Sequence, residues 1–223
     1  MSFTVHHGQV LGILGANGSG KSTLLNALLD VRAGERRGEV VVDGPGGGSR
    51  LEIGFAAQQI ALYHLLTVRE NLRHVARTLL PRRAVAAAVD DAISEHGLGE
   101  VAQTPVHQLS GGWQRLAHIA TSFVHRPRIR LLDEPTAALD FEARGRLVAL
   151  VNDWRRDGVL MLVTSHYPED IDEICTHALV IQDGVVARYG TLDDLLAHHR
   201  RELMIEARSA AGGRCSRSAT VSS

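Results

Sequence analysis

The sequence predicts an α/β fold with a mostly parallel core sheet, a small antiparallel β part and an inserted helical subdomain. Three observations carry that prediction. Apolar runs of strand length at Val10–Leu14, Ile129–Leu132 and Val159–Thr164 alternate with helical patterns, which implies parallel strands joined by crossovers. Residues 65–126 show helical periodicity only, so they sit as an insertion between strands. Ala178–Ile181 and Val185–Tyr189 flank Asp183-Gly184, the signature of a hairpin. At 223 residues the chain is one large domain or a core with a subdomain. The expected division is a core of 1–64 and 127–203, the helical subdomain 65–126, and a disordered tail 204–223 rich in Ser, Ala, Arg and Gly.

The elements follow in order. Val10–Leu14 is a strand, the glycine-rich stretch GANGSGKS is a loop, and Thr23–Leu29 continues as a helix. Val40–Asp43 and Leu51–Phe55 read as short strands flanking the surface loop GPGGGS. Thr67 and Glu70 have capping-box spacing, and Leu72, Val75, Ala76 and Leu79 follow on one face. A second helix runs through AVAAAVDDAISEHG and ends at Gly97. LSGGWQR opens a third, with Trp113, Leu116, Ala117, Ile119, Ala120, Phe123 and Val124 on its apolar side. Residues 140–156 are helical, and Thr191-Leu-Asp-Asp194 starts a last helix.

Bulk properties narrow the function. Net charge is −1, so no global field draws the chain to nucleic acid or a membrane surface. No apolar stretch is long enough to span a bilayer, and MSFTVHHGQV is no signal peptide. Cys175 and Cys215 lack metal or redox spacing and read as free cytosolic thiols. The 12 histidines include the pairs 6–7 and 198–199, and none has metal-ligand spacing. Of 24 basic residues only Lys21 is a lysine, and it stands inside the glycine-rich loop.

That loop, Gly15–Ser22, fits G-x-x-x-x-G-K-[ST]. Gly15, Gly18 and Gly20 let it wrap so that backbone N–H groups face phosphate oxygens. Gly15, Ala16, Asn17, Gly18, Ser19, Gly20, Lys21, Ser22 and Thr23 form the nucleotide-binding segment, Lys21 meeting the terminal phosphates and Ser22 ligating Mg²⁺. Asp133 and Glu134 close the run Ile129–Leu132. Adjacent residues at a strand end point in different directions, so Asp133 is placed to hold the Mg²⁺ shell and Glu134 to polarise the attacking water. A second anion site opens at Ser110, Gly111 and Gly112, where a helix starts on bare backbone N–H groups.

With these motifs the chain resembles the ATP-binding subunits of ABC transporters, from about Phe3 to Leu196, and so a P-loop NTPase fold. GANGSGKS matches the Walker A, Gln58 the Q-loop, LSGGWQR the signature, IRLLDEP the Walker B, Ala138-Leu-Asp140 the D-loop, and His166 in TSHYPED the switch histidine. The resemblance implies ATP and Mg²⁺ as cofactors and catalytic roles for Glu134, His166 and Gln58, with Gln58 touching the metal or its water; the neighbouring Gln59 fits the motif frame less well. It implies a second ATPase subunit, identical or not, packed head to tail, so that Ser110, Gly111 and Gly112 bind the partner's γ-phosphate. Asp140 would cross that interface, a position that equally suits a helix N-cap. A separate transmembrane permease would hold the chain at the inner face of the cell membrane, on the cytoplasmic side. LTVRENL and SHYPED point to drug- or polysaccharide-type exporters.

Several positions depart from the family pattern. Family members carry a further stretch before SFTVHHGQV that supplies an edge strand and an adenine-stacking aromatic; either the start lies too far downstream or ATP binds without that platform. Losing such stacking costs about 1–3 kcal/mol, or roughly ten- to hundred-fold in affinity. Arg130 replaces an apolar residue in a buried strand and must snorkel out or find a carboxylate. Trp113 replaces a small or polar residue, Leu116 stands where arginine is common, and Thr176-His177 replaces Asp-Arg. Two other readings compete with the transport ATPase. One is a degenerate regulatory ABC protein with little turnover; the other is a non-transport ABC ATPase, for which residues 22–132 leave little room.

Overall fold

The computed structural model describes residues 3–16, 18–29, 53–137, 139–165 and 168–195. Asn17, Ala138, His166, the expected strand Val40–Asp43 with its GPGGGS loop, Cys215, and the tail lie outside the described residues.

The described strands form one sheet. β1 (Val10–Leu14) lies at its centre and pairs in parallel with β4 (Leu160–Ser165) on one side and β5 (His177–Gln182) on the other. Beyond β4 come β3 (Ile129–Asp133) and β2 (Ile53–Ala56), both parallel. Beyond β5 comes β6 (Val185–Thr191), joined antiparallel through the Asp183-Gly184 turn. The order is therefore β2-β3-β4-β1-β5-β6. The ends of four parallel strands are in step: Leu14 pairs with Ser165, Asp133 with Thr164, and Ala56 with Leu132. The carboxyl end of the sheet thus gathers the glycine-rich loop, the acids after β3 and the segment around Gln58.

Alternation along the strands feeds two cores. Leu11 and Ile13 of β1, Leu131 of β3 and Leu162 of β4 face α1 (Lys21–Leu28), which contributes Leu25. Val10, Leu132, Met161 and Val163 face the other way. There they meet α2 (Val68–Leu79), α3 (Val85–Glu95), α4 (Gly111–Ser122), α5 (Phe141–Arg156) and α6 (Pro168–Ile174). α2, α3 and α4 all lie between β2 and β3 in the chain. α2 starts on the expected capping box: the Thr67 hydroxyl accepts from Glu70 N–H while the Glu70 carboxylate accepts from Thr67 N–H. Two details correct the sequence reading. α1 begins at Lys21, two residues earlier than its apolar pattern, because left-handed Gly20 caps it. α6 has no counterpart in the sequence reading, since its few apolar positions are too short a pattern to register.

Arg130 finds a carboxylate. It is 4% exposed in β3, and its Nη1 donates at 3.1 Å to Oε1 of Glu95, the last residue of α3. Trp154 Nε1–H of α5 donates to the same oxygen at 2.5 Å. The guanidinium also stacks 4.1 Å from the Trp154 ring centroid and 5.2 Å from that of Phe123. Beside them His96 is buried, and desolvation pushes its pKa down to about 4, against the opposing pull of Glu95, so the imidazole is neutral. The cluster joins α3, β3 and α5. Glu95→Ala strands a buried cation and is expected to cost about 3–5 kcal/mol, read as a fall in the urea midpoint. Adding Arg130→Leu should recover most of it. A single variant as stable as the wild type would mean that Arg130 does not depend on this carboxylate.

Candidate active site

The glycine-rich loop expected to bind phosphate connects β1 to α1, and its shape is sterically enforced. Gly20 has φ +109°, a left-handed conformation that side chains oppose. A Cβ on Gly15 would sit 2.4 Å from Ser19 Oγ and 2.5 Å from the Ile181 carbonyl oxygen. α1 has no side-chain cap and no acid in its first turn, so its free N–H groups and positive dipole end are unspent. Lys21 is 6% exposed, and its Nζ donates to the carbonyls of Gly15 at 2.7 Å and Ala16 at 3.2 Å. Ser22 and Thr23 are exposed or nearly so in the same turn. Ser19 Oγ is buried with no hydrogen-bond partner among the described residues, which suits a site that takes phosphate oxygens.

Asp133 and Glu134 make different contacts. Thr164 Oγ1 donates to Asp133 Oδ1 and accepts from Glu134 N–H at 2.9 Å. One fully buried hydroxyl on β4 therefore positions both acids. Glu134 N–H also reaches the Thr164 carbonyl at 3.2 Å. Glu134 has φ +46°, a left-handed backbone that costs a non-glycine residue about 1–3 kcal/mol and marks an over-determined site. Gln58 Nε2 donates to Glu134 Oε2 at 2.9 Å; Gln58 and Gln59 are both exposed. Arg115 of α4, outside the site expected from the sequence, also reaches this point. Its Nη1 donates to the Ala57 carbonyl at 2.9 Å and its Nη2 to the Glu134 carbonyl at 3.4 Å.

The start of α4, expected from the sequence to be a second anion site, has its own geometry. Ser110 starts α4 with an extended backbone, and its hydroxyl caps nothing. Thr67 and Asp140, by contrast, spend their side chains on their own helices, Asp140 Oδ1 accepting from Ala143 N–H at 2.8 Å. α3 also starts without a side-chain cap, at Ala84, but without glycines. The two glycines of LSGG differ in purpose. A Cβ on Gly112 would sit 2.7 Å from Ala143 Cβ, so this glycine lets α4 pack against α5; around Gly111 the space is open. Trp113 is only partly buried, and the Arg146 guanidinium stacks 4.1 Å from its ring centroid. Ser110, Gly112 and Asp140 line one cleft.

A profile described as ABC transporter matches residues 1–137, well over half of the chain. The chain belongs to the ABC transporter family. It is 29% identical over 211 residues to the linearmycin resistance ATP-binding protein LnrL of Bacillus subtilis (strain 168), covering 92% of this chain and 68% of LnrL. It is 31% identical over 201 residues to the doxorubicin resistance ATP-binding protein DrrA of Mycobacterium tuberculosis (strain ATCC 25618 / H37Rv), covering 87% of this chain. The chain spans only 60% of DrrA's length. Among solved structures, the dimeric post-hydrolysis state of the ATP-binding cassette MJ0796 bound to ADP and Pi superposes with a TM-score of 0.72 at 27% identity, covering 85% of this chain and 88% of that one.

As an ABC ATPase, the chain has the α/β fold with a mostly parallel sheet and antiparallel edge that its sequence predicts. The fold brings Gly15–Thr23 (Asn17 aside), Gln58, Asp133 and Glu134 to the carboxyl end of the sheet and leaves Ser110, Gly112 and Asp140 on another cleft. Thr164 and Arg115 contact the candidate site residues, and the sequence reading does not single them out. A threonine ending a β-strand pattern and an arginine inside the signature are the signals that could have found them. No helix among the described residues is long and apolar enough to cross a membrane.

Proposed function

We propose that this ABC ATPase is the energy-coupling subunit of an exporter, closing on ATP as a head-to-tail dimer and passing the motion to a separate membrane subunit. The observation that carries the dimer is the unspent start of α4: a serine hydroxyl that caps nothing, an open Gly111 and free N–H groups, apart from the loop that holds Lys21. Such a site suits a γ-phosphate held by the Walker A of the partner. Phe141, 94% exposed next to Asp140, adds apolar surface that a second subunit can cover. The likeness to resistance ATP-binding proteins supports export. The membrane subunit would hold this chain at the inner face of the membrane.

The chemistry follows from the residues. Lys21 and the first-turn N–H groups of α1 bind and orient the phosphates. Ser22, Asp133 and Gln58 offer the hard oxygen donors that Mg²⁺ prefers, and the orphaned Ser19 hydroxyl fits a neighbouring phosphate oxygen. Bound there, the metal supplies charge neutralisation on the phosphate oxygens. Glu134 orients the attacking water and accepts its proton, with Gln58 steering the carboxylate. His166, outside the described residues, is assigned to the γ-phosphate through its motif alone.

Ser110→Arg tests the dimer. Light scattering with ATP, in a Glu134→Gln background, should show closure lost, while the monomer binds ATP as before. Closure that survived the arginine would remove the signature from the interface.

A further inference from the structure

Arg115 is a buried cation that the roles above do not use. It is 5% exposed and has no carboxylate within ion-pair distance among the described residues. Burial pulls its pKa below the usual arginine range, and the nearby charges of Asp133 and Glu134 oppose that pull. A guanidinium is costly to bury, so a side chain that only filled this space would be apolar. Its donors go instead to two carbonyls: Ala57, next to Gln58, and Glu134, the residue with the left-handed backbone. Gln58 in turn holds the Glu134 carboxylate. Arg115 therefore grips both ends of the Gln58–Glu134 pair.

The place of Arg115 on its helix matters as much as its contacts. It lies three residues after Gly112 on α4, about 4.5 Å along the same rigid helix. The forked guanidinium holds two carbonyls in a fixed planar relation, whereas the rotatable donors of an ammonium impose no such geometry. We propose that Arg115 is a positioning residue that ties the catalytic carboxylate of Glu134 to the signature helix, so that displacement of the α4 start by a partner's nucleotide is felt at this subunit's own water-activating group. This rests on the hydrolytic reading of Glu134. It makes the two ATP sites of a dimer cooperative through one helix in each subunit.

The test compares Arg115→Gln and Arg115→Lys in the full chain. ATP turnover measures kcat, KM and the Hill coefficient; a fluorescent ATP analogue measures binding; hydrogen exchange follows the segments around 57–58 and 131–137. For Arg115→Gln, kcat should fall about 10–100-fold with nucleotide affinity unchanged, and the Hill coefficient should drop towards 1. Arg115→Lys should recover part of kcat. Exchange should rise in those two segments and not in β1. Wild-type kcat and Hill coefficient in Arg115→Gln would overturn the proposal, as would a loss of protection spread evenly over the chain, which marks a residue that only stabilises the fold. If the wild type itself failed to hydrolyse ATP, the hydrolytic reading would fall, and the localised exchange would still decide whether Arg115 holds Glu134.

Discussion

Glu134→Gln is expected to lower ATP turnover by about 10²–10⁴-fold while leaving ATP binding intact. The substitution keeps size and removes only the charge and the proton acceptor. The backbone should stay in place, because Thr164 holds Glu134 N–H through both its hydroxyl and its carbonyl, and Arg115 holds the Glu134 carbonyl. Gln58 Nε2–H can still donate to the amide oxygen of the variant. Phosphate release measures turnover, and light scattering shows whether the variant accumulates as an ATP-bound dimer. A variant that turned over at the wild-type rate would take the base role away from Glu134.

Lys21→Ala is expected to weaken ATP binding by roughly a hundredfold or more. Lys21 is the chain's single lysine and stands at the first position of α1. Its ammonium lies on the Gly15 and Ala16 carbonyls, which keeps it folded into the loop where terminal phosphates would bind. Each charge-assisted hydrogen bond contributes about 1.5–3 kcal/mol, so losing two such bonds to phosphate oxygens accounts for that fall. Titration with a fluorescent ATP analogue measures it, and a thermal melt without nucleotide separates lost binding from lost fold. Unchanged affinity would refute the assignment of Gly15–Ser22 as the phosphate loop.

Much of the fold and the site is legible in the amino-acid order, and the legible parts share a cause. The strands Val10–Leu14 and Ile129–Asp133, the Thr67–Glu70 capping box and the glycine loop are specified by neighbours a few residues apart, so spacing alone reports them. The motifs read the same way, because a phosphate needs several donors from one short stretch. Spacing leaves Asp140 open between two roles; the structure shows the N-cap, and the interface role stands as a separate proposal. Trp113 falls within the apolar periodicity of α4 and packs partly buried against the core, while its ring also stacks against Arg146.

Fold class, family and the order of the nucleotide-binding motifs are thus properties of the primary structure, because periodicity and short motifs are local along the chain. Packing in three dimensions alone settles how Arg130 is tolerated, which hydroxyl holds both acids, and what Arg115 grips. Arg130 meets Glu95 from 35 residues away, Thr164 meets Asp133 from 31, and Arg115 meets Ala57 from 58. No spacing rule links such partners. Thr164 meets Asp133 because the parallel register sets strand ends side by side, and α4 approaches β2 because Gly54, lacking a Cβ, leaves room for Phe123 at the end of α4.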